Sequence, residues 1–94
     1  MKVRWSPTAV SDLKSIREYI ARDSPTAARK VAARIKEAAG RLASFPLSGR
    51  AGRVPGTREL VIPGTSYIAA YTVHDDEVEI AAVLHGRQNW PESF

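Results

Sequence analysis

The sequence predicts an α+β fold in two layers, made of an N-terminal strand, an α-helical hairpin and a three-stranded antiparallel meander. Three observations carry this. Two Ser-Pro pairs, Ser6-Pro7 and Ser24-Pro25, each open a stretch whose apolar residues recur every three or four positions. From Arg58 to His85 the period falls to two, in short runs divided by Pro63-Gly64 and by His74-Asp75-Asp76. Between these halves, residues 46–57 collect Pro46, Gly49, Gly52, Pro55 and Gly56 around Arg50, Arg53 and Val54. A connection that long in so small a chain is usually functional or mobile.

Taken in order, Lys2 to Trp5 reads as a short strand, with Val3 and Trp5 on one side and Lys2 and Arg4 on the other. Ser6 is suited to cap a helix whose first residue is Pro7, because its hydroxyl can accept a free amide and Pro has no N–H to leave unpaired. Ala9, Leu13, Ile16 and Ile20 then form one apolar stripe, away from Lys14, Arg17, Glu18 and Arg22. Glu18 and Arg22 have the spacing of a favourable i,i+4 pair. Ser24-Pro25 repeats the start signal, so the chain breaks at Asp23 and folds back into a second helix. Its stripe is Ala28, Val31, Ala32, Ile35, Ala38, Ala39 and Leu42, with Arg29, Lys30, Arg34, Lys36 and Arg41 largely outside it. So many small residues suit close packing inside the hairpin, or a groove for a partner helix. Phe45-Pro46 ends the helix, since a residue before Pro is pushed out of the helical region. The strands are Arg58 to Ile62, Tyr67 to Val73 and Glu77 to Leu84. In the last, Val78, Ile80, Ala82 and Leu84 should point one way, and Glu77, Glu79, Ala81, Val83 and His85 the other. Such alternation places the helices on a single side of the sheet.

Composition narrows the function. With 94 residues, 44% hydrophobic and 26% charged, the chain fits one domain over residues 1–94 with a single core. It has no cysteine, which excludes disulfides, thiol chemistry and cysteine zinc sites. No nucleotide loop or metal-ligand spacing occurs, so neither cofactor nor metal is expected. The opening Met-Lys-Val-Arg-Trp-Ser lacks a signal-peptide run, and no stretch approaches the ~20 apolar residues that span a bilayer. A cytoplasmic protein without a membrane partner is expected. The net charge of +4 is uneven: residues 1–45 hold ten Lys or Arg against four acids, whereas the remainder holds four against six. The front half would attract an acidic partner or nucleic acid, or simply stay solvated.

The order and spacing of these pieces resemble the ParE/RelE superfamily of toxins from type II toxin-antitoxin modules. The resemblance covers nearly the whole chain. It rests on the strand ending in Trp5, on Ala9, Asp12, Leu13 and Ile16 with Tyr19-Ile20-Ala21, and on Phe45-Pro46 with Gly49-Arg50. Arg58-Glu-Leu-Val, Tyr67 with Tyr71-Thr-Val73, and Val83-Leu-His-Gly86 complete it. What it implies is a compact toxin in a hetero-oligomer with its cognate antitoxin, whose C-terminal segment wraps the hairpin and sheet. Acidic residues in that segment would meet the basic front half, speeding and orienting the encounter.

The superfamily has two branches. RelE-like members are ribosome-dependent mRNA interferases that hold the scissile phosphate with basic residues; ParE-like members poison DNA gyrase and need no hydrolytic site. On the resemblance, this chain fits the second branch. The RelE-like Arg opening an Arg-Leu-Val-Tyr block on the third strand falls on Ile68, and a second Arg beyond the fourth strand falls on Gln88, with Arg87 beside it. Arg50 and Arg53 stand where a Lys cluster is expected, and the C-terminal Tyr of the RNase branch has no clear match near Trp90 or Phe94. Acid-base catalysis is worth roughly 10²- to 10⁴-fold and electrostatic stabilisation a comparable factor, so both losses together would leave little nuclease activity. A gyrase inhibitor without its own catalytic site is therefore expected, with an RNase built from Arg50, Arg53, Arg58, His85 and Arg87 as the alternative. A third possibility is a non-toxic module that keeps only antitoxin binding.

Arg58, His85, Arg87, Gln88 and Trp90 form the expected target-binding set, and Arg17, Arg29, Arg34, Arg41, Arg50 and Arg53 the expected antitoxin-binding set. His85 could serve as a general acid or base, or only bond a neighbouring strand or loop. Arg58 could meet a partner's acid or phosphate, or pair with Glu59, Glu77 or Glu79 across strands. Trp90 is either a lid on the core edge or an exposed anchor.

Overall fold

The computed structural model describes residues 1–94 as two helices packed on one face of a five-stranded sheet. In chain order the elements are β1 (Lys2–Trp5), α1 (Pro7–Ala21), α2 (Pro25–Gly40), β2 (Arg50–Ala51), β3 (Arg58–Val61), β4 (Tyr67–His74) and β5 (Glu77–His85). Both helices start as the sequence predicts. Ser6 accepts from the Ala9 amide at 3.0 Å and Ser24 from the Ala27 amide at 3.1 Å, with Pro at the first helical position each time. The end of α2 differs from expectation: the helix stops at Gly40, and a 3₁₀ turn over Arg41–Ala43 carries the chain toward Pro46 while keeping Leu42 buried. Glu18 also differs, reaching Lys14 at 4.0 Å, while Arg22 lies over the Tyr19 ring.

Strand order is β1-β5-β4-β3-β2. The predicted meander is the centre of the sheet, β3 against β4 against β5, and all its pairs are antiparallel. On one edge β1 joins β5 in parallel, pairing Lys2 with Glu77 and Trp5 with Ile80. On the other edge Arg50–Ala51, inside the expected loop, pairs with Arg58 and Glu59. Periodicity reports which face a strand buries, not which neighbour it takes, so neither edge pairing was legible from the alternation.

The core lies between helices and sheet. Ala9, Leu13, Ala32, Ile35, Ala38, Ala39 and Leu42 meet Ile62, Ala69, Tyr71, Val78, Ile80 and Val83 there. Most of the alanine stripe is thus consumed by packing within the molecule. Val83 overturns the single alternation expected along β5. Tyr71 pairs with Ile80 and Ala70 with Ala82, leaving Ala81 as an extra, bulged residue. One extra residue in a period of two exchanges the faces. Val78 and Ile80 face the helices before the bulge and Val83 after it, whereas Ala82 and Leu84 turn to the opposite face.

The outer edge of β5 beyond Ile80 has no strand beside it, because β1 is only four residues long. Side chains take over. Ser6 Oγ donates to the Ala81 carbonyl at 2.8 Å, and the Val83 amide donates to Asp12 Oδ2 at 2.9 Å. Burial pushes the Asp12 carboxyl above the usual range, and the Val83 hydrogen bond offsets part of that. With the folded pKa raised, the unfolded chain releases its proton first, so Asp12 lowers stability as pH rises through the ordinary Asp range, near 3.9, and up to its folded value. Asp12→Asn keeps an acceptor and removes the desolvated charge, and should match or exceed wild-type stability at pH 7. Asp12→Ala leaves the Val83 amide without its partner and should cost about 1 kcal/mol or more. Urea midpoints of the two variants check this; equal losses in both would refute it.

The face of the sheet away from the helices is covered by loop and tail. Ala70, Ala82 and Val54 are buried, and Ser93 and Phe94 line one groove with Val54, Pro55, Thr72 and Ala81. No helix is long and apolar enough to cross a membrane.

Candidate functional site at the basic loop and C-terminal tail

Glu59 organises the helix-free face. It sits in the middle of β3, opposite Ala70, and is 3% exposed, the only charged residue in the buried set. Two arginines from the loop converge on its carboxylate. Arg50 donates to Oε1 through Nε and Nη2 at 3.3 and 3.0 Å. Arg53 donates its main-chain amide and Nε to Oε2 at 2.7 and 3.1 Å, and Nη2 to Oε1 at 3.2 Å. Burial by itself raises the carboxyl's pKa, but the Arg53 side chain and amide, then Arg50, overcome that and hold it below the usual range. A buried carboxylate is tolerated only when charge and hydrogen bonds compensate it, and here they do. Its contribution to stability is present above the unfolded Glu value, near 4.3, and is lost as pH falls through the lower folded value. Glu59→Gln should therefore flatten the acid limb of a stability profile measured by urea unfolding between pH 5 and pH 2.5. An unchanged limb would mean that another group causes it.

Arg58 makes none of the cross-strand pairs foreseen for it. Its Nη1 donates to the Gly49 carbonyl at 2.9 Å and reaches that of Leu47 at 3.5 Å. Glu77 and Glu79 are both taken by Arg4. Beneath this loop, Tyr71 is wholly buried; its hydroxyl donates to the Pro46 carbonyl at 2.8 Å and accepts the Gly49 amide at 2.9 Å. One phenol thus joins both halves of the Phe45-Pro46/Gly49-Arg50 junction.

His85 closes β5 and orders the chain beyond it. Its Nδ1 accepts the Arg87 amide at 3.1 Å, so the neutral ring carries its proton on Nε2. Its carbonyl accepts from the Gln88 amide at 3.0 Å and from Trp90 Nε1 at 3.3 Å, while Gln88 Oε1 accepts the His85 amide at 3.2 Å. The imidazole meets Tyr67 edge-on, with centroids 5.6 Å apart. Because of the bulge, His85 lies on the helix side of the sheet rather than away from the core residues, opposite Tyr67. Trp90 then packs under Arg53, the guanidinium carbon lying 3.8 Å from the ring centroid. The target-binding set splits accordingly: His85, Arg87, Gln88 and Trp90 form one turn, and Arg58 is tied to the loop. Arg53, assigned to the antitoxin set, joins that turn through Trp90.

The remaining arginines lie elsewhere. Arg17, with Lys14 and Lys36, rims a groove of about 540 Å³ floored by Trp5, Val10 and Leu13. Arg34 and Arg41 flank Pro63 and Ala38, next to exposed Phe45 and Val61. Arg41 also pairs with Glu37 at 2.9 Å. Arg29 reaches only Thr26, at 3.5 Å. The residues that sequence reasoning missed are Glu59, Tyr71 and Asp12. The only sequence signal for Glu59 was its place at the start of a strand just after two loop arginines; the face it shares with Ala70 follows from the β3/β4 register.

Comparisons with known proteins agree with this architecture. Residues 3–90 match a family model described as the ParE toxin of the type II toxin-antitoxin system, parDE. The chain is 45% identical over 91 residues to Y4kP, a candidate toxin of Sinorhizobium fredii, covering 97% of this chain and 94% of that protein. It is 38% identical over 84 residues to toxin RelE2 of Caulobacter vibrioides, covering 89% and 93%. Among solved structures, a chain of a chromosomal ParDE toxin-antitoxin system from P. aeruginosa superimposes with a TM-score of 0.80 at 27% identity. That match covers 90% of this chain and 95% of that one.

Proposed function

The chain belongs to the ParE toxin family of type II toxin-antitoxin systems, and on that premise we propose that it acts by binding DNA gyrase. The observation that supports gyrase over messenger RNA is the engagement of the basic residues an RNase site would need. Arg50 and Arg53 share one buried carboxylate, Arg58 is tied to main-chain carbonyls, and His85 Nδ1 is taken by the Arg87 amide. Arg50, Arg53 and Glu59 together carry a net charge of only +1, and Ile68, which replaces the strand arginine of the RNase branch, is buried. A phosphodiester transition state gathers negative charge and needs donors aimed at it; here most of the candidates already have partners. The turn Arg87–Trp90 combines an exposed cation with a half-buried indole, the composition of a protein-binding anchor.

Membership of a toxin-antitoxin family supports a cognate antitoxin as partner. Its seats, in this reading, are the apolar groove rimmed by Lys14, Arg17 and Lys36 and the exposed Phe45/Val61 surface flanked by Arg34 and Arg41. Apolar floors with cationic rims suit an amphipathic acidic segment.

Gyrase supercoiling and cleavage assays with purified protein, run beside a reconstituted translation assay, test the target. Stabilised gyrase-DNA breaks with intact mRNA are expected. Cut mRNA with unaffected gyrase would overturn the reading, and it is the result that kinship with toxin RelE2 would favour.

A further inference from the structure

Trp90 is held by two contacts, its indole N–H on the His85 carbonyl and its ring face against Arg53, and residues 91–94 make no hydrogen bond of their own. The orientation of the Arg53 guanidinium therefore matters to Trp90 and to the turn that carries it, whereas Ser93 and Phe94 line the groove beside Val54 and Pro55. A free arginine samples many rotamers, but Arg53 is fixed from both ends: its main-chain amide and its guanidinium fork bind the same carboxylate. Arg50 holds Oε1 of that carboxylate as well. Glu59 in turn cannot drift, because it lies in the ladder between β2 and β4, paired with Arg50 and Ala70. A rigid chain of contacts thus runs from the centre of the sheet to the tail: Glu59, the Arg53 plane, the Trp90 ring.

We propose that Glu59 is a positioning residue, which fixes the plane of Arg53 and so holds Trp90 and the segment Arg87–Trp90 in the arrangement that meets the toxin's protein target. The part concerning the target rests on the gyrase reading above; the clamp does not. An electrostatic anchor alone would accept any cation at position 53. A stacking platform requires the flat guanidinium, which lysine lacks.

The test is the indole N–H resonance of Trp90 in ¹H–¹⁵N spectra, distinguished from that of Trp5 by Trp90→Phe, together with inhibition of gyrase by the same variants. Arg53→Lys keeps a cation beside Glu59, and its urea midpoint should fall less than that of Arg53→Ala. Even so, its Trp90 signal should move to the free-indole position, the tail should gain fast mobility, and gyrase inhibition should weaken roughly tenfold. Glu59→Gln should move the signal in the same direction, and Arg50→Lys should leave it in place. A Trp90 signal unmoved in Glu59→Gln would overturn Glu59 as the positioning residue, and one unmoved in Arg53→Lys would overturn the stacking on which the clamp rests. A moved signal with undiminished gyrase inhibition would overturn its role toward the target. If the wild-type protein leaves gyrase untouched, the functional reading falls, and the indole shift still decides whether Glu59 positions the tail.

Discussion

Replacing Arg50 and Arg53 together with alanine is expected to destabilise the protein by about 3–5 kcal/mol, more than Glu59→Gln does. The asymmetry comes from where each charge lies. Arg50 and Arg53 keep side-chain exposures of 56% and 42%, so without Glu59 their charges return to water. The Glu59 carboxylate, 2% exposed, would be left with only the Arg53 amide once both guanidinium groups are gone. A buried unpaired carboxylate is among the most destabilising single features in a folded protein. For a small domain whose total stability is of order 5–15 kcal/mol, that leaves a narrow margin. A second signature accompanies the loss. With its cations removed, burial outweighs the one main-chain hydrogen bond that remains and raises the folded pKa of Glu59, so its contribution changes sign and falls as pH rises through the Glu range. Urea unfolding of the double variant and of Glu59→Gln, at pH 4 and pH 7, separates the cases. Equal destabilisation at pH 7 would sink the argument.

Gly49→Ala is the other large effect, about 3 kcal/mol. A Cβ at position 49 would stand 2.5 Å from the Tyr71 hydroxyl oxygen and 2.8 Å from the Glu59 carbonyl oxygen. Neither can retreat easily, since Tyr71 is fully buried and the Glu59 carbonyl belongs to a central strand. The loop must lift, and the Tyr71 hydroxyl then loses Gly49 and strains its bond to Pro46. Tyr71→Phe removes the same link chemically, leaving the Gly49 amide without an acceptor, and should cost about 1–3 kcal/mol. Because both changes break one contact, their effects should be clearly less than additive in a double-mutant cycle of thermal or urea stabilities. Full additivity would show that the phenol and the glycine act separately.

The same region separates what could be read in the chain from what could not. Both helix starts were legible because an N-cap followed by Pro is a local device: the residues that fix it lie within four positions of one another. The turn at Pro63-Gly64 was legible for the same reason. Gly64 takes φ +74, which glycine adopts freely, and the Thr65 amide closes the turn on the Ile62 carbonyl at 3.2 Å. The helix stripes were legible down to single residues such as Ala28, Ile35 and Leu42, since burial on one side imposes the helical period. The bulge at Ala81 was not. Alanine fits either face of a sheet, and only the pairing of Tyr71 with Ile80 and of Ala70 with Ala82 reveals the extra residue.

The site divides on the same line. The order and spacing of short motifs resemble those of the toxin superfamily, and the family comparison agrees, because such patterns are properties of the chain. Which of the arginines are engaged is a property of space. Glu59 lies six residues after Arg53, Tyr71 twenty-two after Gly49, and Val83 seventy-one after Asp12, yet each pair is in hydrogen-bond contact. Local physics, with a range of a few residues, set the helices, the turn and the alternating strands. The buried carboxylate under two arginines, the phenol bridging the loop and the tryptophan pinned to Arg53 exist only once the sheet has brought distant residues together, because hydrogen bonds and charge pairs act over a few ångströms of space whatever their separation along the chain.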